Sequence, residues 1–357
     1  SINIFCNLSR GKNLKYRNVI LISFLSAFLL SIRMSGILIF LQYLFTLMIF
    51  LYSEKLNFKF FIKTTYKKIL SFILLTVLFT YLFYPVFWKN PLLIFDSIKY
   101  MSNFFNNVCT LTLGKCMFAK SLAPTYIPIW LLVKLPLLIL IGLMLLPFTE
   151  KKIFIKKENN IAIGTLLFSS FFIPIVLILK KVNLYDELRQ ILFLVPMIFI
   201  LGVVSLYVFS KKIFYFLSVI SLCVFLIENI KIYPYQYVWF NTPSRILNLS
   251  KNFELDYWGL SSKHLASHIS KLHKQTATKP CILTIWSVRP FLDQKSYSCF
   301  GPWSAIDSDF ARPFWAIQNV RNLKKGKSYK CDSVYQSKFN FLFSKEDIIT
   351  GRLIKCI

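Results

Sequence analysis

Ile69–Phe87 reads ILSFILLTVLFTYLFYPVF, nineteen consecutive residues without a charged side chain. About 20 such residues, wound as a helix, cross the ~30 Å hydrocarbon core of a bilayer. A lysine or arginine at the centre of such a helix costs about 3 kcal/mol, against gains of a few tenths for each Leu, Ile or Phe. Four further runs have the same character: Tyr126–Phe148, Ile161–Leu179, Ile191–Phe209 and Ile213–Ile230. All five together hold one basic residue, Lys134, and one acid, Glu228 near an end. They predict five membrane spans, and with them an all-α polytopic domain over residues 1–230.

Asn18–Tyr52 covers 35 residues, about 52 Å as one helix and too long for a single crossing. Arg33 and Gly36 sit near its middle, so it reads as a short helical hairpin that turns there and returns to its starting side. The lysine-rich connectors then orient the chain. Lys12, Lys15 and Arg17 precede the hairpin, and Lys55, Lys59, Lys63, Lys67 and Lys68 follow it. Basic loops stay on the cytoplasmic side. Threading onward places Trp88–Thr125 and Lys180–Arg189 outside, Thr149–Asn160 and Lys211–Lys212 inside, and the tail Lys231–Ile357 outside. The expected location is the plasma (inner) membrane, with the C-terminal domain extracytoplasmic. The start at Ser1, with no signal-peptide pattern, adds the expectation that membrane segments precede it.

Composition narrows the functional classes. With 56% hydrophobic residues and 37 Phe, the chain is not a soluble domain. Its formal charge of +28 does not point to nucleic acid, because the lysines punctuate spans instead of forming one patch with interleaved aromatics. No Gly-rich phosphate loop occurs and Gly numbers only 10, which argues against a nucleotide-driven pump.

Cysteines agree with the threading. Cys109 and Cys116 fall in one external loop, and Cys281, Cys299, Cys331 and Cys356 in the tail, even numbers that suit disulfides in an oxidising compartment. Four cysteines allow three pairings; Cys281–Cys299 with Cys331–Cys356 is the expected one. Within the tail, residues 231–357, Pro234 and Pro243 bar a continuous helix. Ser262–Leu272 reads as a helix, and Cys281–Trp286, Phe339–Phe343 and Arg352–Ile357 read as strands. Gly301-Pro302 and Lys325-Gly326-Lys327 mark turns. Together these elements predict a small extracytoplasmic α/β domain.

Candidate chemistry is sparse. His264 and His268 share a helix face and His273 lies just beyond, but no HExxH acid or nearby cysteine completes a metal set, and a solvated helix is the plainer reading. Arg33 is costly inside an apolar run unless it reaches the interface or lines a cavity. It reads either as a hairpin tip at headgroup level or as a cation facing a lipid phosphate, which the planar guanidinium suits. In the connector KKVNLYDELR (Lys180–Arg189), a carboxylate can accept a proton from a hydroxyl and Arg189 can neutralise a departing phosphate; a rim of solvated charges is the plainer reading. Asp96 is equally an acid near the start of a surface helix.

Four segments carry a resemblance: YPVFWKNPLLIFDSIKYMSNF (Tyr84–Phe104), YIPIWLLVKLP (Tyr126–Pro136), YDELRQILFLVP (Tyr185–Pro196), and YPYQYVWFN (Tyr233–Asn241) with FELDYWGLS (Phe253–Ser261) after it. Together with LSIRMSGILIF (Leu30–Phe40), they resemble bacterial GT-C membrane glycosyltransferases of the dolichyl-phosphate-mannose–protein mannosyltransferase-like group, glycosyltransferase family 39. The likeness covers roughly residues 18–265. It implies a membrane enzyme that moves a sugar from a polyprenyl-phosphate-linked donor to a protein, glycan or lipid acceptor on the external face. Membrane lipids would be its surroundings; nucleic acid would not be a partner, no cofactor would be required, and a divalent metal is left open. Asp186 and Arg189 match the family's Asp-x-x-Arg-His pattern, with Gln190 in place of His. Tyr233 stands where His often precedes Pro-Tyr-Gln, and Asn103–Thr110 lacks the usual Pro-Trp. The resemblance places the catalytic base in a first external loop upstream of Ser1, leaving Asp186 and Asp96 as weaker catalytic candidates. Arg189, Arg33 and Lys89 would bind the donor phosphate. A polytopic transporter or lipid flippase and a noncatalytic membrane scaffold are the competing readings.

Overall fold

A computed structural model describes residues 2–9, 14–32, 34–103, 108–154, 157–273, 279–285, 287–302, 313–319 and 331–356. The described chain is mostly helical, with a C-terminal sheet domain. Three of its helices are long and apolar enough to cross a membrane.

After the short α1 (Ile2–Ser9), α2 (Tyr16–Ile32) and α3 (Leu38–Ser53) meet through a 3₁₀ turn at Met34–Ile37. A Cβ on Gly36 would lie 2.8 Å from the Leu29 carbonyl oxygen, so the turn needs glycine. Each helix is about 25 Å long, and Ser26 Oγ meets Tyr43 OH at 3.0 Å between them. Residues 18–52 thus form two short helices, while Arg33 itself lies outside the described residues.

α4 (Phe58–Phe83) is the first span-length helix. Asn57 caps it by accepting the Lys59 N–H at 2.8 Å. It stops at Tyr84 because Pro85 disfavours helical geometry in the preceding residue. The expected run Ile69–Phe87 is therefore corrected at both ends, and Phe87 falls in α5 (Val86–Lys89). Next come α6 (Leu93–Asn103) and the antiparallel hairpin of β1 (Cys109–Thr112) and β2 (Lys115–Phe118), which sequence reading missed. Leu113 and Gly114 turn it with φ of 49° and 75°, the sign a two-residue hairpin loop requires. Cys109–Cys116 closes it.

Tyr126–Phe148 is not one straight helix, although the two halves together are long and apolar enough for one broken span. α7 (Tyr126–Lys134) and α8 (Leu137–Ile153) bend by 117° at Leu135–Pro136, where Pro136 holds Leu135 extended at φ −78°, ψ 139°. α9 (Lys157–Leu167) continues through a π-helical turn, Phe168–Phe172, into α10 (Ile173–Leu179); Asn159–Leu179 is the second span-length helix. α11 (Leu194–Phe209) begins three residues later than expected, behind a loop held by successive turns. α12 (Lys211–Lys231), capped by Ser210, is the third. α8 and α11 cross where Gly142 faces Gly202, close enough that a Cβ on Gly142 would collide with the Gly202 carbonyl. Exposed apolar side chains such as Leu74 and Val77 on α4, and Phe216 and Val219 on α12, form faces of the kind that meet a membrane or another protein.

Beyond α13 (Leu249–Asn252) and α14 (Ser261–His273), five strands form one mixed sheet: β3 (Cys281–Thr284), β4 (Cys299–Pro302), β5 (Phe314–Asn319), β6 (Cys331–Asn340) and β7 (Asp347–Cys356). Their order is β4-β3-β5-β7-β6, parallel among the first three and antiparallel among the last three. Leu265, Ala266 and Ile269 of α14 pack on Ile282, Leu283, Ile317 and Leu353. Cys281–Cys299 and Cys331–Cys356 are the disulfides, the expected pairing. Gly301-Pro302 ends β4 instead of making a turn, because an edge strand tolerates the missing donor of proline. The expected strand Phe339–Phe343 breaks at Phe341; Phe343 has φ 60°. Trp286 and Lys325-Gly326-Lys327 lie outside the described residues. A second buried core joins residues on both sides of position 230: Tyr126, Trp130, Leu188, Phe240, Phe253 and Phe341.

Candidate functional site

The connector between α10 and α11 folds into this shared core. Asp186 and Glu187 are both buried and take φ of 57° and 63°. Two successive left-handed residues that are not glycine cost roughly 1–3 kcal/mol each and persist only where neighbours over-determine them. Here the neighbours are identifiable. The Asp186 N–H donates to Thr110 Oγ1 at 3.1 Å, and the Glu187 carbonyl accepts the Tyr126 hydroxyl at 3.2 Å. The Arg189 N–H reaches the Asp186 carbonyl at 3.3 Å, and the Tyr185 N–H donates to Gln190 Oε1 at 3.2 Å. The hairpin that supplies Thr110 is itself tied to the tail: the Glu254 N–H donates to the Leu111 carbonyl at 2.8 Å, and the Leu111 N–H to Glu254 Oε2 at 3.3 Å. Three segments distant in sequence therefore meet around the connector.

This backbone turn drives the Glu187 side chain inward. Its Oε2 lies 2.8 Å from Lys134 Nζ, with the two side chains 6% and 10% exposed. Lys134 ends α7 at the Pro136 break, and its ammonium sits 4.1 Å from the Phe240 ring centroid. Glu187 Oε1 is buried without a hydrogen-bond donor among the described residues. Burial pushes the Glu187 carboxyl up to about 7; Lys134 opposes the rise, and the carboxylates of Glu254 and Asp186 add to it. Tyr257, in the tail, is pushed up to about 12 by burial and then by Glu187 and Asp186.

The Asp186 side chain turns to Arg189, whose Nη1 lies 3.3 Å from Asp186 Oδ2. The Arg189 guanidinium lies over Trp258, 4.2 Å from the ring centroid. Arg189 and Gln190 also line a cavity of about 370 Å³ whose walls are otherwise mostly apolar, including Leu29, Ile39, Ile173, Leu192 and Phe193. An elongated apolar guest with an anionic end fits this arrangement: hydrocarbon takes the walls and the planar fork takes an oxyanion.

Of the sequence candidates, the fold brings Asp186 and Arg189 together. Lys89, ending α5, and Asp96, in the first turn of α6, are both exposed, and neither lines this cavity. His268 stacks on Tyr335 with centroids 3.9 Å apart, and His273 makes edge contacts with Tyr297 and Trp315. Among the described residues no group of three or more His, Cys, Asp and Glu side chains gathers as a metal site. Sequence reading missed Glu187, Trp258 and Thr110 as members of the cluster. Lys134 carried a signal, since a lone cation inside an apolar run marks either a partner or a pathway.

No protein family, characterised protein or solved structure matches this chain.

Proposed function

We propose that this chain belongs to a GT-C-type membrane glycosyltransferase that moves a sugar from a polyprenyl-phosphate donor to an acceptor on the extracytoplasmic face. The observation that carries the reading is the place of Arg189, at once part of the wall of an apolar cavity and hydrogen-bonded to a buried acid. In such a reaction the bond between the sugar carbon and the phosphate oxygen breaks, and negative charge grows on the departing lipid phosphate. A guanidinium already in position lowers that barrier without reorganising. Asp186 fixes its orientation. The buried Lys134–Glu187 pair locks the turn that presents both, so Lys134 and Glu187 act as positioning residues. The resemblance in the four quoted segments supports the same reading, and assigns no base within this chain.

The test is transfer of radiolabelled sugar from polyprenyl-phosphate hexoses by membranes containing the protein. Turnover that falls at least tenfold in Arg189→Ala supports the reading. Wild-type turnover in that variant removes Arg189 from the site.

One observation favours a transporter or flippase as the second reading. The α7–α8 pair is interrupted at Leu135–Pro136 beside a buried lysine, a feature of discontinuous helices that handle ions or substrates at mid-membrane. Movement of labelled lipid across proteoliposomes, without sugar transfer, would select it.

A further inference from the structure

Trp258 is 56% exposed although the chain on either side of it is anchored. Asp256 is fully buried. Its carboxylate accepts from the Leu260 N–H at 2.7 Å, the Ser261 N–H at 3.0 Å and the Ser261 hydroxyl at 2.7 Å, and from the Tyr237 hydroxyl. Gly259 takes φ +67°, and a Cβ there would come within 2.7 Å of Ser287 Oγ. The backbone under the indole is therefore fixed at both ends, so the ring is held in one place while more than half of the residue stays exposed.

Its neighbour gives the exposure meaning. A scattered surface aromatic is ordinary, but this one carries the Arg189 guanidinium 4.2 Å from its centroid, and Arg189 lines the apolar cavity. Arg189 therefore touches both the cavity and the indole. A lipid chain in the cavity with its phosphate on Arg189 brings the group esterified to that phosphate against Trp258. A hexose has one face of C–H bonds, and the negative face of an indole attracts such polarised hydrogens while removing apolar surface from water.

We infer that Trp258 is the sugar-recognition residue of this site, packing on the hexose of the lipid-linked donor while Arg189 holds its phosphate. This rests on the reading of the cavity as a lipid-phosphate site, and the experiment separates the two. The intact chain in nanodiscs is titrated with undecaprenyl phosphate and with its mannosyl, glucosyl and galactosyl esters. Expected is a preference of about tenfold for at least one ester over the bare lipid phosphate, the scale of a single aromatic contact. Trp258→Ala should bring that ratio to about one, whatever it does to affinity for the bare lipid through its contact with Arg189, and Trp258→Phe should keep most of it. Arg189→Ala should weaken all four ligands. If the bare lipid binds but no ester is preferred, or if Trp258→Ala keeps the preference as a mere bilayer-interface anchor would, the inference is overturned and the lipid site stands. Failure of all four ligands to bind overturns both.

Discussion

Lys134 Nζ and Glu187 Oε2 meet at 2.8 Å in the core that the helical segments share with the tail. Removing one partner leaves the other charge buried and uncompensated, which costs about 3–5 kcal/mol, whereas replacing both with apolar groups is far less harmful. At pH 8, Lys134→Met should therefore lower the denaturation midpoint strongly, and Lys134→Met/Glu187→Leu should recover most of the loss. Chemical denaturation in detergent measures both. A double variant no more stable than Lys134→Met would contradict the account, because the orphaned carboxylate would then not be the source of the loss.

Glu187 also sets a pH dependence. Its folded-state carboxyl titrates at about 7, above the unfolded value of 4.5. Between those values the folded chain holds a proton that the unfolded chain has released, so stability falls as pH rises from about 4.5 to about 7 and levels off above. Glu187→Gln should flatten that stretch of the profile. The denaturation midpoint followed across pH 4–8 reads it directly.

A second buried pair fastens α12 to the tail. Arg245 donates to both carboxylate oxygens of Glu228, through Nη1 to Oε1 and through Nη2 to Oε2 at 2.9 Å. It also donates to the carbonyls of Phe240 and Leu342, while Trp239 Nε1 reaches Glu228 Oε2 at 2.8 Å. Glu228→Ala should cost about 3–5 kcal/mol and make the bonds after Lys231 and Arg245 sensitive to trypsin. Unchanged resistance to limited trypsin digestion would contradict this.

The α8–α11 crossing depends on two glycines. Gly142→Ala places a methyl group against the Gly202 backbone, and separating the helices should cost about 1–3 kcal/mol. Gly164→Ala is the control, because its new methyl meets only the flexible end of Ile49. Thermal unfolding of the two variants should differ clearly.

Hydropathy made the apolar runs legible, and Pro136 held the information for the break at Leu135. Length alone argued for one span there, because local geometry at a single residue leaves the apolar count unchanged. The disulfides were legible because each pair lies close in sequence, and the fold sets β3 beside β4 and β6 beside β7. Strand β5 was not, since its six residues sit between stretches with no clear period. Asp186 and Arg189 stood out through their spacing and their resemblance to a motif. Glu187 did not, because its distinguishing feature is burial against Lys134, a contact made only when the connector folds under α7. Trp258 was hidden for the same reason: nothing in its own neighbourhood announces that Arg189 will lie over it.

The claim on which the account turns is that the cavity beside Arg189 holds the hydrocarbon of a lipid phosphate. Photo-crosslinking with a diazirine-bearing polyprenyl phosphate, mapped by mass spectrometry, tests it most directly. The account predicts labelling concentrated on Ile39, Leu192 and Phe193, and reduced in Arg189→Ala. Labelling spread over the outer faces of α4 and α12, and unchanged by that substitution, would contradict it.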